Sequence, residues 1–396
     1  ITADHQLGLW SAAGALAVSN ETGIGAGVAV NVLHTDVLAL VGDNRSLRSS
    51  ALGVGAAGNG KATWVVDELL VNAESTGQVG AFSVAGAVAR TAEEQQKQDE
   101  ADADSADKGV MGAVEEIGKG LLQMVFGDAS AGLQNGIAGA KGGATSIKDT
   151  IVSVPDKIGE VVDKIKGLFD DKPDPGTGKT KQSLALAGSA SVNVVGQKTR
   201  AQLGDIVLDP RDPPSKGSKV TVLSLNQTNQ LSGSGSGAFT LAGGQRSQSS
   251  SAIAGAIAYN HLYNLTQAQL KNATLNDNDL LKVQAASAGD QVAMGLGIAA
   301  ATAGNNNTSV AMSVSGGVIT NTTAASVLDS SVNQRAGQSQ GIAVTAYDRS
   351  RTLLGGGSFS LATGGNGSAT SAGGSLVLAV QKNKLSADWL GSTASG

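Results

Sequence analysis

Val222, Val283 and Val344 stand 61 residues apart, each within a short alternation of apolar and polar residues. A fixed period of this kind is the mark of a repeat architecture and governs any other reading of the chain. A second series keeps step with it: Thr199/Ala201, Thr266/Ala268 and Thr323/Ala325, with a weaker Leu385/Ala387. A third is Gly-Ala-Phe-Ser-Val-Ala at 80–85, Gly-Ala-Phe-Thr-Leu-Ala at 237–242 and Gly-Ser-Phe-Ser-Leu-Ala at 357–362. Aligning the copies on this phrase makes Phe82, Phe239, Ile298 and Phe359 equivalent. Each is flanked by small residues, which predicts one large inward side chain per repeat. A period of 61 is close to three coils of about 20 residues, a common size for parallel β-helices. The competing reading, a 61-residue domain, is disfavoured because every segment is small-residue and strand-like, with no core of its own.

Composition supports an array. Aromatic residues make up 3% of the chain and Gly 55 of 396 residues, with no Gly-X-Y period. A compact core normally leans on Phe, Tyr and Trp. An interior of Ala, Val, Leu and Ile must instead be thin, as in a flattened solenoid where each coil buries a narrow stack against the next. The strands read Gly-Val-Ala-Val-Asn-Val (27–32), Asp36–Leu40, Leu69–Ala73 and Ala81–Ala85, separated by Gly, Asn and Asp clusters.

At Thr91 the pattern changes. Residues 93–181 hold 17 of the 33 acidic and 11 of the 28 basic residues. Val110, Val114, Ile117, Leu121 and Val125 fall at helical spacing, as do Ile158, Val162, Ile165 and Phe169. Phe82 to Thr199 is 117 residues, whereas Phe239 to Thr266 is 27. The excess matches the charged block. The expected organisation is therefore solenoid coils over 1–91, a helical insertion with a Pro/Gly linker over 92–181, and coils again over 182–396.

The chemistry-bearing residues are few. Net charge is −5, against a nucleic-acid partner, which needs a basic stripe. Cys is absent, and no apolar run approaches the length of a transmembrane helix. The chain opens at Ile1 without a charged-then-apolar leader and reads as a mature product or a piece of something longer. Gly176-Thr-Gly178-Lys179-Thr180 lacks the first glycine of a phosphate loop, Pro173 standing in its place. No cofactor is expected beyond Ca²⁺, for which Asp277 and Asp279 are candidate ligands; their run, 276–279, lacks EF-hand spacing and reads first as an Asx turn. His5, His34 and His261 do not cluster, and His34 and His261 are expected near turns. Asp205, Asp209, Asp290, Asp329 and Asp348 are scattered, which leaves no close carboxylate pair for polysaccharide cleavage. The sequons at Asn264, Asn272, Asn321 and Asn366 read as turn or ladder residues rather than glycan sites.

Gly-Val-Ala-Val-Asn-Val (27–32), Gly-Ala-Phe-Thr-Leu-Ala (237–242) and Ala-Ala-Ser-Val-Leu-Asp-Ser-Ser (324–331) resemble the repeat region of large bacterial exoproteins, the filamentous-haemagglutinin-type and leukotoxin-like filamentous adhesins. The resemblance covers everything outside 92–181. It implies an all-β chain, a right-handed parallel β-helix, displayed outside a bacterial cell as a non-enzymatic adhesive or matrix filament. The implied partners are a host or neighbouring cell surface, polysaccharide, or other copies of the chain. A self-assembling fibre or sheath is the alternative, and a β-helical polysaccharide lyase or hydrolase a third. On the adhesin reading Asn72, Gln284, Ser326 and Thr345 form an exposed lattice of uncharged hydrogen-bonding groups.

Overall fold

The computed structural model describes residues 1–19, 22–42, 61–90, 182–211, 217–241, 249–302, 306–334, 341–364 and 367–395. The expected helical insertion, 92–181, lies outside them. The regular structure of the described residues is all strand: β1 (Thr2–Ser19), β2 (Thr22–Val41), β3 (Ala62–Val65), β4 (Glu68–Arg90), β5 (Gln182–Gly204), β6 (Ile206–Asp209), β7 (Ser218–Leu241), β8 (Ser249–Lys271), β9 (Thr274–Thr302), β10 (Asn306–Leu328), β11 (Ser331–Gln334), β12 (Gly341–Thr363), β13 (Ala369–Leu390) and β14 (Thr393–Ser395). Long strands alternate between two sheets as the chain proceeds. The first sheet stacks β1, β4, β7, β9 and β12, the second β2, β5, β8, β10 and β13, and every pairing is parallel. The short strands β3, β6, β11 and β14, with the start of β9, build a corner ladder joined to the first sheet. Each pass of the chain thus crosses one sheet, folds over, crosses the other and turns a corner, an arrangement consistent with a β-solenoid.

Two of the repeat series lie in register. Val222 pairs with Val283 and Val283 with Val344, and Val71 extends the column. Thr199, Thr266, Thr323 and Leu385 form another, with Ala201, Ala268, Ala325 and Ala387 two residues on. Val222, Val283 and the three threonines are fully buried between the sheets.

The Phe alignment is corrected by the structure. Phe239 pairs with Val88 and Ala300, Phe82 with Ala12 and Gly233, and only Ile298 and Phe359 share a column. These side chains point outward: Phe82 is 37% exposed, Phe239 38% and Phe359 58%. Glycines make the difference. Phe82 lies over Gly233 and Trp10 over Gly80, where any Cβ would collide with the ring, so bulk on the outer face settles wherever a neighbouring pass leaves space.

The interior changes character along the strands. Near the corner ladder it is aliphatic, with Leu203, Leu270, Leu275, Leu281, Val222 and Val327 in one cluster. At the opposite end it is almost purely alanine, including Ala85, Ala187, Ala254, Ala299 and Ala311. There the sheets approach so closely that a Cβ on Gly297 would stand 2.5 Å from the Met312 carbonyl oxygen across the gap. Facing sheets usually sit about 10 Å apart, so this end is filled almost entirely by small side chains.

Between these zones a small apolar cluster of Val79, Val195, Leu262 and Ile319 is accompanied by buried polar ladders, which the expected Ala/Val/Leu/Ile core did not include. Asn31 Nδ2 donates to Asn193 Oδ1 at 3.0 Å, and Asn193 Nδ2 to Asn260 Oδ1 at 2.9 Å. The same amides donate across the gap to the carbonyls of Gly80, Leu231 and Val292 at 2.6, 2.9 and 2.7 Å. Gln291 donates to Gln230 at 2.8 Å, and each reaches a second-sheet carbonyl, Val318 and His261 respectively. Ser83, Ser189, Ser191 and Ser234 form a further cluster. Long flat sheets need stacking or side-chain ladders to resist their natural twist, and these amide and hydroxyl columns supply both the ladder and a tie between sheets.

One residue per pass turns the corner with positive φ: Asp205 (55°), Asn272 (51°), Asp329 (47°) and Gly391 (60°). Asx and Gly tolerate this region best. The backbone continues the stack, with the amides of Asp205, Asn272 and Asp329 donating to the carbonyls of Lys271, Leu328 and Leu390.

Candidate interaction surface

The corner accounts for most of the acidic residues considered for catalysis or metal binding. Asp205 and Asp329 occupy the positive-φ turns just described, and Asp205 accepts from Asn272 Nδ2 at 2.6 Å. Asp209 accepts from Asn276 at 2.7 Å. Asp277 has φ of 43°, and Asp279 accepts from the Gly217 amide at 3.0 Å, both where β9 shifts register against β7. Among the described residues no group of three or more His, Asp or Glu is placed to hold a metal ion. Asn264 and Asn321 are buried between the sheets, so neither sequon presents its amide to an attached sugar.

His34 and His261 lie within β2 and β8 rather than near turns. His261 sits edge-on to Tyr259, ring centroids 6.5 Å apart, with Val194 and Val318 beside it in register. Burial pushes the imidazole down to about 4 and the Tyr259 phenol up to about 12. The folded state therefore prefers neutral His261. Its contribution is complete above the unfolded value near 6.5 and is lost as pH falls toward 4. Between pH 7 and 4.5 the wild type should lose about 2–3 kcal/mol more than His261→Gln, read as the difference between their melting curves at the two pH values.

What remains for function is the outer surface. On the first sheet it divides across the strands. The half nearest the corner ladder is polar. Asn72, Leu223, Gln284 and Thr345 share one outward column there, and Gln284 Nε2 donates to the Tyr347 hydroxyl at 2.9 Å. Ser326, expected in the same lattice, is instead buried. The lattice is also not uncharged. Arg351 grips Asp290 through two bonds of 2.9 and 2.7 Å, and the carboxyl is held below its ordinary range chiefly by that hydrogen bond. Arg349 lies 5.5 Å from the Tyr347 ring centroid. Gln227, Asn229, Asp290, Arg349 and Arg351 line a shallow open recess. On the second sheet Arg200 makes a similar two-point contact with Asp36.

The other half of the first sheet's outer face is apolar. Five outward columns crossing β1, β4, β7, β9 and β12 contain only Trp, Phe, Leu, Ile, Val, Met, Ala and Gly. Trp10, Leu16, Leu296, Leu353 and Phe359 are each at least half exposed. Trp10 and Phe82 stack with planes 1° apart and centroids 6.1 Å apart. This band was legible as the Phe-centred phrase but was assigned to the interior.

Compared with protein-family models, curated proteins and solved structures, the chain matches none. No described helix is long and apolar enough to cross a membrane, a statement that does not extend to strands.

Proposed function

We propose that the chain is a segment of a non-enzymatic extracellular filament, part of a large bacterial surface exoprotein that mediates attachment or matrix formation. In this reading the strands wind as a right-handed β-solenoid and 92–181 is a helical excursion from one turn. The observation that carries it is the stack itself. Each long strand is paired along nearly its whole length with its counterpart one pass away. Among the described residues, the edges of β1 and β2 on one side, and of β12 and β13 on the other, carry no further strand. Such a stack is stiff, has the same cross-section throughout, and presents outward groups on a regular lattice for many weak contacts. The acidic residues considered for cleavage are engaged in corners and ladders, which supports a structural role for them. Self-assembly into a fibre is the second reading, favoured by β13, exposed along almost its entire length.

Beads carrying many copies are expected to adhere to cells or polysaccharide-coated surfaces while the soluble chain binds weakly. Release of new reducing or unsaturated ends from a polysaccharide panel would overturn the reading in favour of an enzyme.

A further inference from the structure

We propose that two copies of this chain associate face to face through the apolar half of the first sheet's outer surface. The five columns there run without a polar side chain across all five passes. At about 4.8 Å per strand and about 3.3 Å per residue the band covers roughly 700 Å². The largest apolar patch of an ordinary monomer is about 300–600 Å², and a stable interface takes about 800 Å² from each partner. The band therefore exceeds what a free surface normally carries and nearly supplies one side of a dimer.

Its relief is suited to a copy of itself. In its two central columns large side chains alternate with small ones from pass to pass: Leu296 lies between Gly235 and Gly357, and Phe82 between Ala12 and Gly233. The gaps beside Leu296 and Phe82 can receive large side chains of an identical surface, as in a dry zipper between sheets. The inner faces are tied by the amide ladders, so the band is held as one surface for a second copy to meet. Lipid is the poorer occupant. Immersion would carry the edges of β1 and β12, which no described strand pairs, into hydrocarbon, where no group satisfies them, and the Asp290–Arg351 pair adjoins the band on the same face. The proposal concerns lateral contact between copies and stands whether or not the filament adheres to anything else.

The test uses the full chain. Sedimentation equilibrium between 1 and 100 µM should show a dimer or larger species. Leu353→Glu combined with Phe359→Glu, both outward and more than half exposed, should weaken association at least 100-fold without changing the far-UV circular dichroism. Thr345→Glu, on the polar half, should leave it unchanged. The chain has no cysteine, and a Cβ at Gly235, in the middle of the band, meets nothing within 4 Å. Gly235→Cys should therefore cross-link to its mate in the partner copy under mild oxidation. A dimer that neither cross-links through Gly235→Cys nor responds to the double glutamate substitution is an end-to-end stack and overturns the proposal. A monomer at 100 µM overturns it too, whether it floats with phosphatidylcholine/phosphatidylglycerol vesicles, marking a lipid surface, or stays free of them.

Discussion

Gly297→Val is expected to cost more than about 3 kcal/mol and to open the alanine-lined end of the stack. The residue faces inward on β9, and a Cβ there would lie 2.5 Å from the Met312 oxygen and 3.1 Å from its carbonyl carbon. Those atoms are backbone in a paired strand and cannot rotate aside. Overpacking a tight interior typically costs about 1–3 kcal/mol; Gly297→Ala should fall in that range, and the two further methyl groups of valine exceed it. Gly255→Ala is the control. A Cβ there meets nothing within 4 Å, and replacing a strand glycine by alanine should stabilise by about 0.5–1 kcal/mol. Thermal melts of the three variants measure the series. A Gly297→Val protein as stable as the wild type would mean that the sheets do not approach as described.

The second large effect is expected at Asn193. Its amide accepts from Asn31 and donates to Asn260 and to the Leu231 carbonyl, and the residue is fully buried. Asn193→Asp keeps the shape but replaces donors with a charge facing the Leu231 carbonyl and the Asn260 oxygen. An unpaired buried charge costs about 3–5 kcal/mol. The folded pKa of such a carboxyl is raised, so the penalty is complete above it and shrinks as pH falls toward the unfolded value near 4. Asn193→Ala should cost less, about 1–3 kcal/mol, through the Asn260 acceptor left without its donor. Because each pass contacts only its neighbours, the local loss is resolved by amide hydrogen exchange along β2, β5 and β8. Loss of protection confined to these strands and the facing β7 is the expected outcome. Unchanged protection in Asn193→Asp would show that the Asn column carries no weight.

The valine and Thr-x-Ala series were readable because they lie inside. An inward column is constrained by neighbours in its own sheet and by the facing sheet, so residue type and spacing recur together. The Phe-centred phrase misled because it lies outside, where a ring over Gly233 and a ring over Gly80 serve equally well. The Asn column left a trace that hydropathy hides: Asn31 and Asn193 each stand between two valines. Asparagine there counts as surface until the facing carbonyls are placed opposite it. Of the corner aspartates, Asp277 and Asp279 are legible in sequence as an Asx turn, whereas Asp205, Asp209 and Asp329 read as scattered until the passes are stacked.

What the chain determines by itself is the repeat, the two-residue period, the sites of the breaks and the scarcity of large core residues. Those follow from local spacing and from side-chain volume. Which face of each strand is inside was decided only by the tertiary structure. A period of two is symmetric: shifting it by one residue exchanges the faces. In most proteins polarity breaks that symmetry, but here the buried columns include Asn, Gln, Ser and Thr and the exposed band carries Phe, Leu and Trp. Only the facing sheet breaks it: near the corner it leaves room for Leu and Val, while toward the other end the narrow gap admits alanine and amides that reach a carbonyl across it, and turns the bulk outward.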